Sequence, residues 1–296
     1  PLELEIGFGN GEYLARRAEL HPERDFVGLE IAWNSHKRAL RRLAEPPKKT
    51  NVRLLHLPAF PALKLFFEPN SLSNVKCLFP VPWPNERHAQ KRLFSAKFLD
   101  LLANRLKSDA TFTIVTDHEG LALWAMDRAR ESTMDLKLFE SDDLKLDTKY
   151  ERKWLSTGQK IFYHLTGRKI AHAELGREDF DQMRSTISYL INPSDYHPQG
   201  RGEEPTIVFG DLIYDYQKKQ GLLSTKVVED QFVQKFFIKI SQQPDGSHKL
   251  APAFTSQVYP TYGVALALEL AALREPKTLG QIGPDPAKRE IPWDEA

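Results

Sequence analysis

The chain has 296 residues, 41 % of them hydrophobic and 27 % charged, which excludes a low-complexity polymer and suits one large or two ordinary globular domains. Its 41 basic residues stand against 40 acids, so the net charge of +1 points by itself to no polyanionic partner. The single cysteine, Cys77, excludes an intrachain disulfide framework and a cysteine-based zinc site, and is expected as a small core residue in a reducing cytosol. No apolar run is long enough to span a bilayer, and no signal peptide is expected.

In chain order, residues 2–7 (LELEIG) read as a strand that ends in glycines, followed by a helix over 11–20. A second strand at 25–31 (DFVGLEI) leads to a helix over 33–45, and strands follow at 51–57 and 74–80. A long helix is predicted over 88–106, because Phe94, Phe98, Leu101 and Leu102 recur three and four apart on one face. A strand at 110–116 and a helix at 118–131 come next, and 134–170 is expected to add an antiparallel edge that includes 160–165 (KIFYHL). Short β-branched strands alternating with helical patterns predict a doubly wound, mostly parallel α/β sheet. Beyond about residue 170 the pattern changes. A helix around 176–190 and a polar stretch at 192–205 precede strands at 206–214, 222–229, 232–241 and near 249–256, then a helix over 261–273. The expected organisation is therefore a domain at 1–170, a small α+β module at 171–274 and a poorly ordered tail at 275–296.

Between the first strand and helix lies "LEIGFGNGEYL", with Gly7, Gly9 and Gly11. Glycines at such a turn let backbone donors approach a ligand, but the pattern alone is weak because many strand–helix turns use glycine. Glu30, at the end of the second strand about twenty residues on, stands where a carboxylate receives the ribose hydroxyls of a nucleotide-like cofactor. A Gly-x-Gly-x-x-Gly dinucleotide fingerprint is missing. With Glu5 just ahead of the loop, the spacing suits the methyltransferase version of the sheet and S-adenosylmethionine. Neither a metal-ligand spacing of His, Asp and Glu nor a Gly-x-Ser-x-Gly elbow occurs, so a catalytic metal and a serine hydrolase are not expected.

The fourth strand runs into "LFPVPWPNERHAQKR" at 78–92, a proline-stiffened elbow followed by positive charge. The basic runs at 36–42 and 87–92 read either as solvated helix faces or as phosphate contacts. Together with "LEIGFGNGEYL", "VTDHEG" and "TKYERKWLSTGQKIFYHL", the elbow resembles the bacterial tRNA (guanine-N7-)-methyltransferases over residues 1–168. The resemblance implies S-adenosylmethionine as cofactor, tRNA as partner, a cytoplasmic setting, and methylation of a guanine in the tRNA variable loop. Carried over by motif, Glu5, Gly7, Phe8, Gly9, Gly11, Glu30 and Ile31 would hold the cofactor. Trp83, Asn85, Asp117, Thr148, Lys149, Tyr150 and Glu151 would meet the substrate, with Tyr150 in place of the family's Phe, and Arg87, His88, Lys91 and Arg92 would face tRNA phosphate.

The chain departs from the family pattern at three places. Val81 occupies the position of the Asp to which catalysis is usually assigned, Asn85 replaces a lysine, and Pro58 replaces the acid that ends the third strand near the adenine. Guanine N7 carries an in-plane lone pair and needs no deprotonation before it attacks a sulfonium methyl, so alignment is the main demand and Val81 does not forbid the chemistry. Asp117 or Glu151 could supply part of the missing charge. Two readings therefore stay open, an active methyltransferase and a relative that binds tRNA without turnover. A third reading, an RNA-binding module without catalysis, draws on Lys218, Lys219, Lys226, Lys235 and Lys239 with Phe232, Phe236 and Phe237 in the second module.

Overall fold

The computed structural model describes residues 1–46, 48–142, 146, 148–158, 161–173, 185–188, 191–230, 232–253 and 258–273. They belong to two units, Pro1–Leu175 and Gly176–Ala296. In the first, β1 (Leu2–Ile6), α1 (Glu12–Leu20), β2 (Asp25–Leu29), α2 (Trp33–Ala44), β3 (Val52–Leu55), α3 (Ala59–Phe66) and β4 (Leu72–Leu78) alternate strand with helix. A 3-10 turn (Glu86–Lys91), α4 (Ala96–Arg105), β5 (Leu106–Thr116), α5 (Glu119–Ala129), β6 (Met134–Ser141), α6 (Lys149–Ser156) and β7 (Phe162–Lys169) complete it. The sheet order is β3-β2-β1-β4-β5-β7-β6. β1 to β5 pair in parallel, and β7 runs antiparallel to both β5 and β6.

This is the predicted doubly wound architecture with its antiparallel edge. The order reverses between β1 and β4, the switch point at which such sheets open a crevice beyond the strand carboxyl ends. Phe94, Phe98, Phe112 and Phe162 are fully buried, and the Phe94 ring centroid lies 5.9 Å from that of Phe112 and 6.2 Å from that of Phe98. Cys77 is buried on β4 and its thiol is pushed up by that burial, as a core position requires.

Three local expectations are corrected. The helix predicted over 88–106 is broken: a 3-10 turn capped by Asn85 ends at Lys91, and α4 starts afresh at Ala96 under a Ser95 side chain that accepts the Phe98 N–H at 3.3 Å. Periodic apolar residues marked one buried face, but Ser95 satisfies an amide that would otherwise be orphaned and so begins a new helix. The short helix α3 is not among the predicted elements; Pro58 stands just outside its first turn and Pro61 within it, where a missing N–H costs nothing. The helix expected around 176–190 is a strand where it is described, β8 (Ser185–Ile187). The predicted tail at 275–296 lies outside the described residues.

The second unit holds β8, β9 (Thr206–Asp215), β10 (Gln220–Glu229), β11 (Phe232–Gln242), β12 (His248–Pro252) and α7 (Tyr262–Ala272). The five strands form an antiparallel sheet in the order β8-β12-β11-β10-β9. One sheet face (Ile207, Leu223, Val227, Phe236, Ile238, Ile240, Leu250) shares a buried core with Val264, Leu266, Ala267, Leu268 and Ala271 of α7. The helix start is held by side chains from the sheet. Glu229 Oε2 accepts the Gly263 N–H at 2.8 Å, and Gln234 accepts the Tyr259 N–H at 2.8 Å while donating to Thr261 Oγ1 at 3.3 Å. A carboxylate among free helix amides is favoured by both hydrogen bonding and the helix dipole.

Candidate functional site

The loops after β1, β2, β4 and β5 emerge side by side at the carboxyl ends of the parallel strands. In the first, Gly7, Gly9 and Gly11 have φ of 74°, 55° and 76°, the left-handed region open to glycine. At Gly11 a Cβ would meet the Ala39 Cβ at 2.8 Å, so this glycine lets α1 and α2 close on each other. At Gly7 a Cβ would meet nothing within 4 Å, so the backbone face there is open.

Glu30 ties two of these loops together. Its Oε2 accepts the Gly9 N–H at 2.9 Å and its Oε1 accepts the Ala32 N–H at 2.8 Å. The carboxylate is thereby fixed in orientation beside the glycine loop, with further lone pairs available to hydroxyl donors. Next to it, Ile31 and Trp33 are 68 % and 51 % exposed, an apolar pair left open to solvent at the strand end. Trp33 stacks on His36 at a centroid distance of 5.5 Å, and His56 Nε2 donates to the Ile31 carbonyl at 2.9 Å, linking the loops after β2 and β3.

Glu5 is 5 % exposed and pairs in register with Lys76 on β4. Burial pushes its carboxyl up to about 8, against the opposing pull of Lys76; burial also lowers the Lys76 ammonium. Glu5 Oε2 is buried with no hydrogen-bond partner among the described residues. An orphaned carboxylate oxygen beside a glycine loop is the position a cationic ligand would complete.

After β4 the elbow is held in an unusual backbone conformation. Phe79 (φ 53°) and Trp83 (φ 44°) occupy the left-handed region, which is costly for bulky side chains and occurs where surrounding structure enforces it. The enforcing contacts are visible. The Phe79 N–H donates to the Val115 carbonyl at 2.7 Å, and Arg92 Nε donates to the Trp83 carbonyl at 3.1 Å. Arg92 is 7 % exposed and lies over Trp124, so it braces the elbow and differs from the expectation that it faces phosphate. Arg87 and Lys91 are exposed, and the Lys91 ammonium sits 4.8 Å from the Trp83 ring centroid. Val81 is 63 % exposed at the apex, so the position that carries a carboxylate in the family pattern points to solvent as an apolar group. Asn85 caps the 3-10 turn by accepting the Arg87 N–H at 3.1 Å.

Asp117 leads into α5, whose first turn is capped by His118 Nδ1 accepting the Leu121 N–H at 3.1 Å. Thr148 and Glu151 are buried and bond reciprocally: Thr148 Oγ1 accepts the Glu151 N–H at 3.2 Å, and Glu151 Oε2 accepts the Thr148 N–H at 3.4 Å. This is a capping box at the start of α6. The side chains of Lys149 and Tyr150 lie outside the described residues. Two arginines join α6 and the segment just before it to the glycine-loop helix. Arg152 Nη2 donates to Glu12 Oε2 at 2.9 Å, and Arg16 donates to the Leu146 carbonyl. Glu12, Arg16 and Arg152 were not singled out from sequence; the Thr-x-x-Glu spacing was a legible helix-start signal, but the long-range pairs have no sequence signature.

A family model described as "Putative methyltransferase" matches residues 1–164. A tRNA (guanine-N(7)-)-methyltransferase of Chlorobium phaeobacteroides is 38 % identical over 175 residues, which covers 58 % of this chain and 84 % of that protein. This chain belongs to that methyltransferase family. The protein of the same name from Thermotoga maritima is 39 % identical over 176 residues, 59 % of this chain and 56 % of its own length. The one from Aquifex aeolicus is 28 % identical over 257 residues and 83 % of this chain, an alignment longer than the first unit, so relatedness within the family extends into the second. The family's cofactor is S-adenosylmethionine, and the residues present fit it: an open glycine backbone at Gly7, an oriented Glu30 carboxylate, an exposed Ile31–Trp33 pair and the unpaired Glu5 oxygen. Among the described residues no group of three or more His, Cys, Asp and Glu could hold a metal ion, and no helix is long and apolar enough to cross a membrane.

Proposed function

We propose that this chain methylates N7 of a guanine in the variable loop of cytoplasmic tRNA. The observation that carries the reading is the placement, at the ends of the neighbouring parallel strands β1 and β4, of a cofactor-type glycine loop oriented by Glu30 and an enforced elbow. S-adenosylmethionine held there would supply an electrophilic methyl group for the N7 lone pair, with S-adenosylhomocysteine as the leaving group. Glu30 would hold the ribose, Gly7 and Gly9 would present backbone to the methionine arm, and Glu5 would ionise against the cationic ligand. Trp83 and the flanking prolines form a stiff wall for the guanine ring, and Arg87 and Lys91 take the phosphates beside it. Asp117, at the end of the neighbouring strand β5, or Glu151 supplies part of the charge that Val81 lacks.

Because the reaction removes no proton, the missing carboxylate costs electrostatic stabilisation and not a catalytic step. By analogy with single preorganised groups, that loss is on the order of 10²–10³ in rate. The test is incubation of the full chain with labelled S-adenosylmethionine and unmodified tRNA, followed by mapping of the labelled base. Label at a variable-loop guanine supports the reading. Bound tRNA with no label on any base favours the alternative, a relative that binds without turnover, for which the apolar Val81 at the elbow apex is the supporting observation.

A further inference from the structure

The second unit has a sheet face that α7 does not cover. Register and alternation place Lys226, Lys235, Lys239 and Lys249 on it, all exposed, because their neighbours Val227, Phe236, Ile238, Ile240 and Leu250 point into the core. Lys226 stands directly opposite Lys235 across β10 and β11. Like charges in that arrangement repel, and none of the four lysines makes an ion pair among the described residues. The fold therefore carries a concentration of positive charge on this face that no ion pair among the described residues offsets. On β11, Lys235 and Lys239 are about 13 Å apart along the strand, with Phe237 between them on the same face. Opposite Phe237 is the small Ser224, which leaves one side of the ring uncrowded. The exposed acids on β9, Asp211 and Asp215, lie at the edge of the sheet, and Asp215 is already paired with Lys218.

We infer that this open face is an RNA-docking surface, with Lys226, Lys235, Lys239 and Lys249 contacting phosphate and Phe237 stacking on an unpaired base. Charge complementarity selects a polyanion, and the aromatic ring set among lysines selects a nucleic acid over an acidic protein or an anionic bilayer. The inference rests on the tRNA reading above and adds a second contact region, carried by elements outside the site that handles the cofactor.

The experiment replaces all four lysines by glutamine in the full chain and measures affinity for an unmodified tRNA transcript across a salt series. Circular dichroism and S-adenosylmethionine calorimetry on the same variant establish that fold and cofactor site are intact. The expected result is a loss of about tenfold or more at 0.1 M salt and a salt slope shallower by roughly 0.7–0.9 per lost phosphate contact, with unaltered cofactor affinity. Phe237→Ala is expected to weaken binding by roughly fivefold or more while leaving the salt slope unchanged, the signature of stacking in place of charge. In methyl-transfer kinetics, KM for tRNA should rise while turnover at saturating tRNA is retained. A quadruple variant with wild-type affinity and slope would overturn the docking surface and leave the proposed function standing. Lysine-dependent binding to phosphatidylcholine vesicles with one quarter phosphatidylserine, without any change in tRNA affinity, would also overturn it in favour of a lipid surface. Wild-type protein that neither binds nor methylates tRNA would overturn the proposed function and this surface with it.

Discussion

Val81 concentrates the chemical question in one side chain. It is exposed at the apex of an elbow whose shape Arg92 and Val115 impose, so replacing it perturbs no core packing. In the proposed site, Val81→Asp would place a carboxylate next to the guanine ring that becomes cationic as N7 is methylated. The single-turnover rate at saturating S-adenosylmethionine is expected to rise, by up to about 10²-fold, because the interaction strengthens as charge develops. A variant no faster than an active wild type would show that another group already supplies that charge. Glu30→Ala should weaken S-adenosylmethionine binding by about 1–3 kcal/mol, since it removes a charged acceptor and releases the Gly9 and Ala32 amides; calorimetry reads this directly. Glu5 gives a prediction in pH. Burial raises its carboxyl from 4.5 to about 8, so between those values the unfolded chain releases a proton that the folded chain retains. The Glu5 contribution to stability therefore declines as pH rises from 4.5 to 8, by about 1.4 kcal/mol per pH unit at most, and is level above that. Urea unfolding of wild type and Glu5→Gln should give curves that separate progressively across this window, with the variant the more stable at pH 8.

At the scale of elements, the elbow and its flanking helices depend on caps. The sequence motif at 148–151 looks like a substrate signature from its resemblance, and the structure shows that two of its four side chains hold the first turn of α6. Thr148→Ala should cost about 0.5–2 kcal/mol in stability, as loss of a helix cap does, and should also displace the Arg152–Glu12 link to α1. A drop in thermal midpoint that S-adenosylmethionine largely restores would mark the residue as a positioning group. Strand and helix identities were legible through α2 because apolar period and β-branched runs agree with tertiary burial. The break between Lys91 and Ala96 was not, because Ser95 and Arg92 act through specific hydrogen bonds that hydrophobic periodicity does not encode. The strand at Ser185–Ile187 was missed for a related reason: three residues recruited to a sheet edge by β12 carry too little pattern of their own.

For the whole molecule, the sheet order explains why residues far apart in sequence form one site. Reversal between β1 and β4 sets the glycine loop beside the elbow, and α6 with the segment before it is tied back to α1 by contacts that span 130 and 140 positions of the chain. The glycine loop, Glu30 and the elbow were visible in the sequence because each carries a local signal of turn or strand end. The burial that raises Glu5, the bracing role of Arg92 and the sorting of the second unit's lysines and Phe237 to the open face with Phe236 in the core needed the fold, since they depend on register and on which face of a sheet is covered. The most direct test of the account is base-resolved mapping after incubation with labelled S-adenosylmethionine and unmodified tRNA, on wild type and on Glu30→Ala in parallel. The account predicts label at N7 of a variable-loop guanine in the wild-type reaction and a strongly reduced yield at limiting cofactor in the variant. Label at a different atom or base, or an equal yield from Glu30→Ala at limiting cofactor, would contradict it.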